Sequence, residues 1–101
     1  MNEIINFINR FTDNNQNKAV IEKFQCGCCY WFAEILCGRF FLRDPRIVYD
    51  VVANHFATEI QGRIYDVTGD VTGQYNCVDW NLYDDEIHRK RIIRDCVYFM
   101  D

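Results

Sequence analysis

The sequence predicts an α+β fold, in which a central helix packs on a small antiparallel β-sheet and further helices flank this core at the N- and C-terminal ends. Three observations carry this prediction: an apolar stripe with helical spacing between Cys29 and Phe40, two strand-like runs that follow it, and helical patterns near both ends. The chain has 101 residues, of which 50% are hydrophobic, and we expect a single domain over residues 1–101.

The N-terminal part of the chain predicts a short amphipathic helix over residues 2–11, because four apolar side chains recur there at steps of three and four. These side chains are Ile4, Phe7, Ile8 and Phe11. The polar run 12–17 predicts a turn, and we expect residues 18–24 to add one or two helical turns.

The central helix is predicted from Cys29, and its apolar residues fall on one side over three turns. They are Cys29, Phe32, Ala33, Leu36, Cys37 and Phe40. Gly27 suits a sharp entry into this helix, and Gly38 followed by Asp44-Pro45 marks the approach to its end.

The sheet is predicted after residue 46, where β-branched and aromatic residues over 47–52 favour a strand. The runs His55–Ile60 and Arg63–Thr68 are separated by Gln61-Gly62, which is a hairpin pattern. The segment Asp66-Val-Thr-Gly is repeated at once from Asp70, which predicts two turns in series. We expect an irregular stretch over 74–82 and a charged helix from about Asp84 to Arg94.

The hairpin places a histidine beside a carboxylate. If Gln61 and Gly62 are the two loop residues, Ile60 faces Arg63, and His55 and Asp66 become diagonal neighbours on one face, with backbones about 7–8 Å apart. An imidazole and a carboxylate can meet across that distance. The alternative is an exposed histidine and a turn-forming aspartate, because a slip of one residue would put the two side chains on opposite faces.

Composition excludes several classes of function. The chain contains no serine, so it is not a serine hydrolase. A net charge of −4 argues against binding to nucleic acid or to an anionic membrane surface, and no apolar run is long enough to span a membrane. Three of its six cysteines lie within Cys26–Cys29, whereas disulfide frameworks usually join distant loops, and no secretory leader is evident. We therefore expect free thiols, a cytoplasmic location, and no cofactor or metal.

Cys29 is the candidate nucleophile. It falls in the first turn of the central helix, where unpaired backbone N–H groups stabilise a thiolate. His55 would act as its base, and Asp66 would orient the imidazole ring. The alternative is that Cys29 continues the apolar stripe as buried core.

The segment Cys26-Gly-Cys-Cys-Tyr30 resembles the surroundings of the nucleophile in papain-like cysteine proteases. The run from Asn54 to Ile60 and the run from Gly62 to Thr68 resemble the histidine and aspartate strands of transglutaminase-like members of that superfamily. The resemblance covers Gln25 to Gly69 and is closest to small variants of the core carried by bacteriophages and bacteria.

The resemblance implies a papain-like core and a catalytic role for three residues: Cys29 as the nucleophile, His55 as the general base and then acid, and Asp66 as the orienting group. It further implies an oxyanion hole formed by the backbone N–H of Cys29 and the side chain of Gln25. The implied activity is that of a cysteine hydrolase or acyltransferase that cuts or transfers an amide, isopeptide or thioester bond of a protein or peptide substrate.

Other interpretations remain open. Cys26 and Cys29 also form a Cys-x-x-Cys pair before a helix, as in thiol–disulfide redox proteins. A zinc site would require Cys77, Cys96 and His55 to complete the pair from scattered positions. A non-catalytic binding or inhibitor protein would use the same core, with exposed aromatic side chains as anchors. The candidates for such anchors are Tyr49, Tyr75, Trp80 and Tyr83.

Overall fold

The computed structural model describes residues 2–26, 28–80 and Lys90. Within them, three α-helices precede the strands: α1 (Glu3–Phe11), α2 (Lys18–Cys26) and α3 (Cys29–Arg39). The side chain of Asn2 caps α1 by accepting hydrogen bonds from the backbone N–H groups of Ile4 and Ile5. A 3-10 helix, Phe41–Arg43, follows α3. The predicted N-terminal and central helices are confirmed, and α2 extends two residues beyond the predicted end.

Five strands form one antiparallel sheet in the order β4-β3-β2-β1-β5. The strands are β1 (Arg46–Asp50), β2 (His55–Ile60), β3 (Arg63–Asp66), β4 (Gly69–Asp70) and β5 (Val78–Asp79). Helices followed by an antiparallel sheet confirm the predicted α+β fold. Of the charged helix predicted over 84–94, only Lys90 belongs to the described residues, and its backbone is helical.

Helix α3 lies against the middle of the sheet, and its sheet-facing side carries the predicted stripe. Within this stripe, Cys37 alone is only partly buried; the other five members are at most 5% exposed. Thr58 of β2 is fully buried, and its Oγ1 donates a hydrogen bond of 3.1 Å to the carbonyl oxygen of Ala33. This contact fixes the middle of α3 over the central strand.

Two apolar clusters fill the space between the helices and the sheet. The larger one joins α1, the C-terminal half of α3 and the hairpin; it contains Ile4, Ile8, Phe32, Leu36, Phe40, Ile60, Tyr65 and Val67. The smaller one surrounds the N-terminal end of α3; it contains Cys29, Ala33, Tyr49, Phe56 and Trp80. Aromatic rings dominate the smaller cluster, and the ring centroids of Tyr49 and Phe56 are 4.7 Å apart. The start of α3 is therefore held rigidly against β1 and β2.

The turn between β2 and β3 sets the register of the hairpin. Gln61 and Gly62 have φ angles of 52° and 82°, which is the backbone of a type I′ turn. Ile60 pairs with Arg63 and Thr58 pairs with Tyr65, so the predicted register is confirmed. Because this turn has two residues, it also fixes which side chains of the two strands share a face.

The structure corrects the predicted strand limits. Strand β1 ends at Asp50 rather than at Val52, because the Asp50 carboxylate accepts hydrogen bonds from backbone N–H groups of the following residues and closes a turn. Strand β3 ends at Asp66 for the same reason, since that carboxylate binds the N–H of Thr68. The stretch predicted as irregular contains β5, which pairs with β1. No helix in the described part of the chain is long and apolar enough to cross a membrane.

Candidate Cys–His–Asp site

Cys29 is the first residue of α3, and it is only 4% exposed. The N-cap residue Cys28 makes no side-chain capping hydrogen bond, so no side chain of the cap competes for the first N–H groups of the helix. The sulfur accepts a hydrogen bond of 3.5 Å from the backbone N–H of Phe56 in β2. The thiol thus lies where the positive end of a helix dipole meets the central strand.

His55 is the first residue of β2, and its Nε2 lies 2.8 Å from Oδ2 of Asp66, the last residue of β3. Both side chains are buried, with 6% and 3% of their surfaces exposed. The distance confirms the prediction that the hairpin register brings the two groups together on one face. The two-residue turn places them there, although eleven positions separate them along the chain.

The Cys29 side chain also interacts with the imidazole of His55 and contributes to its pKa. Asp66 occupies Nε2, which leaves Nδ1 as the ring nitrogen for the thiol. Burial lowers the pKa of His55, but the hydrogen bonds to Asp66 and Cys29 and their negative charges outweigh burial and raise it to about 9. The site therefore favours the imidazolium form at neutral pH, which is the partner that a thiolate requires.

Asp66 is held by contacts on both carboxylate oxygens. Burial raises its pKa, but the hydrogen bonds from His55 and from Thr68 lower it to a net value below the usual range. The N–H of Thr68 donates to Oδ1 at 2.8 Å, and the Thr68 hydroxyl donates to the same oxygen. The carboxylate is thus ionised, fixed in orientation, and aimed at Nε2.

Sequence reasoning missed two residues that surround His55. The ring of Tyr75 lies against the imidazole, with 4.7 Å between ring centroids and an angle of 30° between ring planes. Asp50, at the end of β1, pairs directly with His55 across the sheet and is 5% exposed. Tyr75 was predicted only as a surface anchor. The sequence did hold one signal for a turn after Asp50. Asn54 follows four residues later, and asparagine tolerates the left-handed backbone that Asn54 adopts here (φ 51°).

Gln25, the predicted side-chain donor of an oxyanion hole, lies near the end of α2, and its side chain is exposed. Within the described residues, the structure places the Cys29 N–H directly at the thiol but records no contact that brings the Gln25 amide to Cys29 or His55. The structure thus joins three of the four predicted site residues.

The other described thiols differ from Cys29 in their surroundings. Burial raises the pKa of Cys37 and that of Cys77, in each case to about 11. Burial also raises the pKa of Cys28. All four of these described cysteines are free, as predicted. Among the described residues, no group of three or more histidine, cysteine or carboxylate side chains is arranged to hold a metal ion.

The predicted surface anchors of a binding protein are corrected in two cases. Tyr49 is fully buried, and Trp80 is 4% exposed, because both rings pack in the smaller apolar cluster around Cys29. Tyr83 lies outside the described residues. The two aromatic rings support the site instead of offering a binding surface.

The fold and the site together define a small α+β protein in which a buried thiol of the central helix lies beside a hydrogen-bonded His–Asp pair of the sheet. The chain belongs to the phage YunG-like family, since the family model described as Phage YunG-like protein matches residues 4–96. This membership confirms the association with bacteriophages. No curated protein and no solved structure matches the sequence.

Proposed function

We propose that the protein is a cysteine hydrolase or acyltransferase of papain-like type, which acts on an amide, isopeptide or thioester bond in a protein or peptide. The observation that supports this proposal is that α3, β2 and β3 bring a thiol, an imidazole and a carboxylate to one buried site, where the imidazole is hydrogen-bonded to the carboxylate and its pKa responds to the thiol. Each group meets a separate requirement of acyl transfer: a nucleophile, a base, and a group that orients the base.

In the proposed reaction, Cys29 and His55 start as a thiolate–imidazolium pair, in which the proton of the thiol is already on Nδ1 of His55, and the sulfur attacks the carbonyl carbon of the substrate. The oxyanion that forms accepts a hydrogen bond from the Cys29 backbone N–H. His55 then returns the proton to the leaving amine or thiol as the bond to the carbonyl carbon breaks, and a thioester to Cys29 remains.

The thioester is resolved in a second step. Water or an amine attacks the acyl carbon, His55 takes the proton of the attacking group, and the sulfur leaves as thiolate. Asp66 stays ionised throughout and stabilises the imidazolium. Gln25 is proposed as a second oxyanion donor, on the basis of the resemblance. The free thiols support action in a reducing compartment, which we propose is the cytoplasm of a phage-infected cell.

Alkylation with iodoacetamide between pH 4 and 8, followed by mapping of the labelled peptides, tests whether the thiol is activated. We expect Cys29 to react fastest at acidic pH, and His55→Ala to abolish this preference. Cys37 and Cys77 are internal references, because a pKa of about 11 keeps them protonated over this range. Uniformly slow labelling of every thiol would contradict the proposal and favour a binding protein, and a disulfide between Cys26 and Cys29 would favour the redox interpretation.

Acyl transfer itself is tested with p-nitrophenyl acetate as a generic acyl donor. We expect a burst of one p-nitrophenolate per protein molecule, with the acetyl group found on Cys29 by mass spectrometry. Cys29→Ala should lose the burst, and Cys37→Ala is the matched control that should retain it. Acetylation spread over several residues, with no burst, would contradict an acyl-enzyme mechanism.

A further inference from the structure

The buried carboxylate of Asp50 lies beside the Cys–His–Asp site without belonging to it. Asp50 is the last residue of β1 and stands directly opposite His55 in the β1–β2 pairing. It is 5% exposed, and a carboxylate at that depth has to be matched by hydrogen-bond donors. The backbone N–H groups that donate to Asp50 show which parts of the chain this carboxylate connects.

The two oxygens of Asp50 hold two different parts of the chain. Oδ1 accepts from the N–H groups of Val52 at 2.9 Å and Ala53 at 3.0 Å, which closes the turn that leads into His55. Oδ2 accepts from the N–H of Asn76 at 2.9 Å, a residue 26 positions away in the chain. One carboxylate therefore ties the start of β2 to the segment 75–77.

Tyr75, the neighbour of Asn76, is the residue whose ring lies against the imidazole of His55. Tyr75 is half-buried and lies in a segment without helix or strand structure. Such a segment is more mobile than a helix or a strand, so its backbone needs a fixed point to hold the ring in place. The hydrogen bond between Asn76 and Asp50 supplies that point one residue away. Removing it would free the backbone that carries the ring, while the His55–Asp66 contact would keep its own partners.

We infer that Asp50 is a positioning residue of the candidate site: by anchoring Asn76 it holds the Tyr75 ring against His55 and so fixes the plane of the imidazole. The stacked ring shields the His55–Asp66 pair from water on one side. Among the described residues, the charged and titratable groups that act on His55 or lie against it are Cys29 from α3, Asp66 from β3, Asp50 from β1 and Tyr75, whose ring stacks on the imidazole. The inference deepens the proposed function and rests on it only where reactivity is measured.

The test uses Asp50→Asn, which has nearly the same shape. The retained Oδ1 still accepts from Val52 and Ala53, while an NH₂ group replaces the oxygen that faces the N–H of Asn76, so two donors oppose each other. Asp70→Asn is the matched control, because Asp70 makes the same kind of turn contact, with the N–H of Thr72, and has no recorded contact with His55. If Asp50→Asn does not fold, Asp50→Ser is measured, since its hydroxyl still serves the local turn.

The primary readout is the proton NMR signal of the His55 imidazole, which the Tyr75 ring current displaces. His88→Gln assigns it, because the chain has two histidines. We expect Asp50→Asn to move the signal to its position in Tyr75→Leu, and Asp70→Asn to leave it unchanged. A signal that stays at the wild-type position in Asp50→Asn, or in Asp50→Ser where that variant replaces it, would overturn the inference.

The second readout is the rate at which iodoacetamide alkylates Cys29 at pH 5.5. We expect Asp50→Asn to lower it about threefold to tenfold through a less ordered imidazole, and Asp50→Glu to restore part of it. An unchanged rate would overturn the positioning role. If the wild-type Cys29 itself fails to react at this pH, the proposed function fails, and the NMR result still decides whether Asp50 positions Tyr75.

Discussion

Asp66 and Asp70 begin two consecutive copies of the sequence Asp-Val-Thr-Gly and make the same local contact, but only Asp66 reaches the histidine. In each copy, Oδ1 accepts a hydrogen bond from the N–H of the threonine two residues later, at 2.8 Å in the first and 2.9 Å in the second. The second oxygen of Asp66 faces His55, whereas that of Asp70 accepts from Arg63 at 2.9 Å. The repeat therefore contains its own control.

The first prediction compares Asp66→Asn with Asp70→Asn. Asp66→Asn keeps the turn contact but removes the negative charge beside Nε2, so the pKa of His55 should fall. The alkylation rate of Cys29 at pH 5.5 should then fall by roughly tenfold or more. A change of one pKa unit in the thiol–imidazole pair changes the population of its thiolate–imidazolium form by a factor of about ten. Asp70→Asn should leave both quantities unchanged. Equal effects of the two substitutions would contradict a specific role for Asp66.

The contact between His55 and Asp66 could be predicted from the sequence, because a two-residue turn at Gln61-Gly62 admits one register. The position of Cys29 could be predicted for a similar reason: helical spacing alone places it on the side of α3 that faces the sheet. In both cases local geometry decides a contact between residues that are distant in the chain.

The environment of His55 could not be predicted in the same way. Asp50 stands before two valines that favour a strand, and only its hydrogen bonds to turn N–H groups end β1 there. The contact of Tyr75 with His55 depends on Asn76 meeting a strand 26 positions earlier. The spacing of apolar residues along the sequence does not predict a contact of this kind. The burial of Tyr49 and Trp80 was missed because their partners come from α3 and from β2.

The second prediction compares two glycines that differ in backbone conformation. Gly38 lies exposed in α3 and Gly62 lies in the type I′ turn at φ 82°, and an added Cβ would meet no atom within 4 Å at either position. Gly38→Ala should raise the free energy of unfolding by about 0.5–1 kcal/mol, since alanine favours a helix. Gly62→Ala should lower it by about 1–2 kcal/mol, because a left-handed backbone is costly with a Cβ.

Urea denaturation at pH 7 measures both values. Because an added Cβ has open space at both positions, opposite changes in the free energy of unfolding would reflect the different backbone conformations of the two glycines. Two changes of the same sign would contradict the type I′ turn.

The third prediction concerns the stability of the protein against pH. The folded pKa of His55 is raised to about 9, so its contribution is complete below the unfolded value of about 6.5 and is lost as pH rises through about 9. The pKa of Asp66 is lowered, so its contribution is present above the unfolded value of about 3.9 and is lost as pH falls through the folded value.

The measurement is the difference in the free energy of unfolding between the wild type and His55→Gln, followed by urea denaturation from pH 6 to 9.5. The thiols of Cys37 and Cys77 add a pH dependence of their own, because they titrate at about pH 8.5 in the unfolded chain whereas a pKa of about 11 keeps them protonated in the folded protein. This contribution is common to both proteins and cancels in the difference. The wild-type advantage should shrink steadily as pH rises. An advantage that stays constant, or that grows with pH, would contradict the raised pKa.

The most direct measurement is an NMR titration of the His55 imidazole in the wild type and in Cys29→Ala. We expect a pKa near 9 in the wild type and a lower value in Cys29→Ala, because the interaction with the Cys29 side chain is one of the causes that raise the pKa of His55. Cys37→Ala is the control and should match the wild type. A His55 pKa that is ordinary, or that does not change when the Cys29 sulfur is removed, would contradict a coupled thiol–imidazole pair.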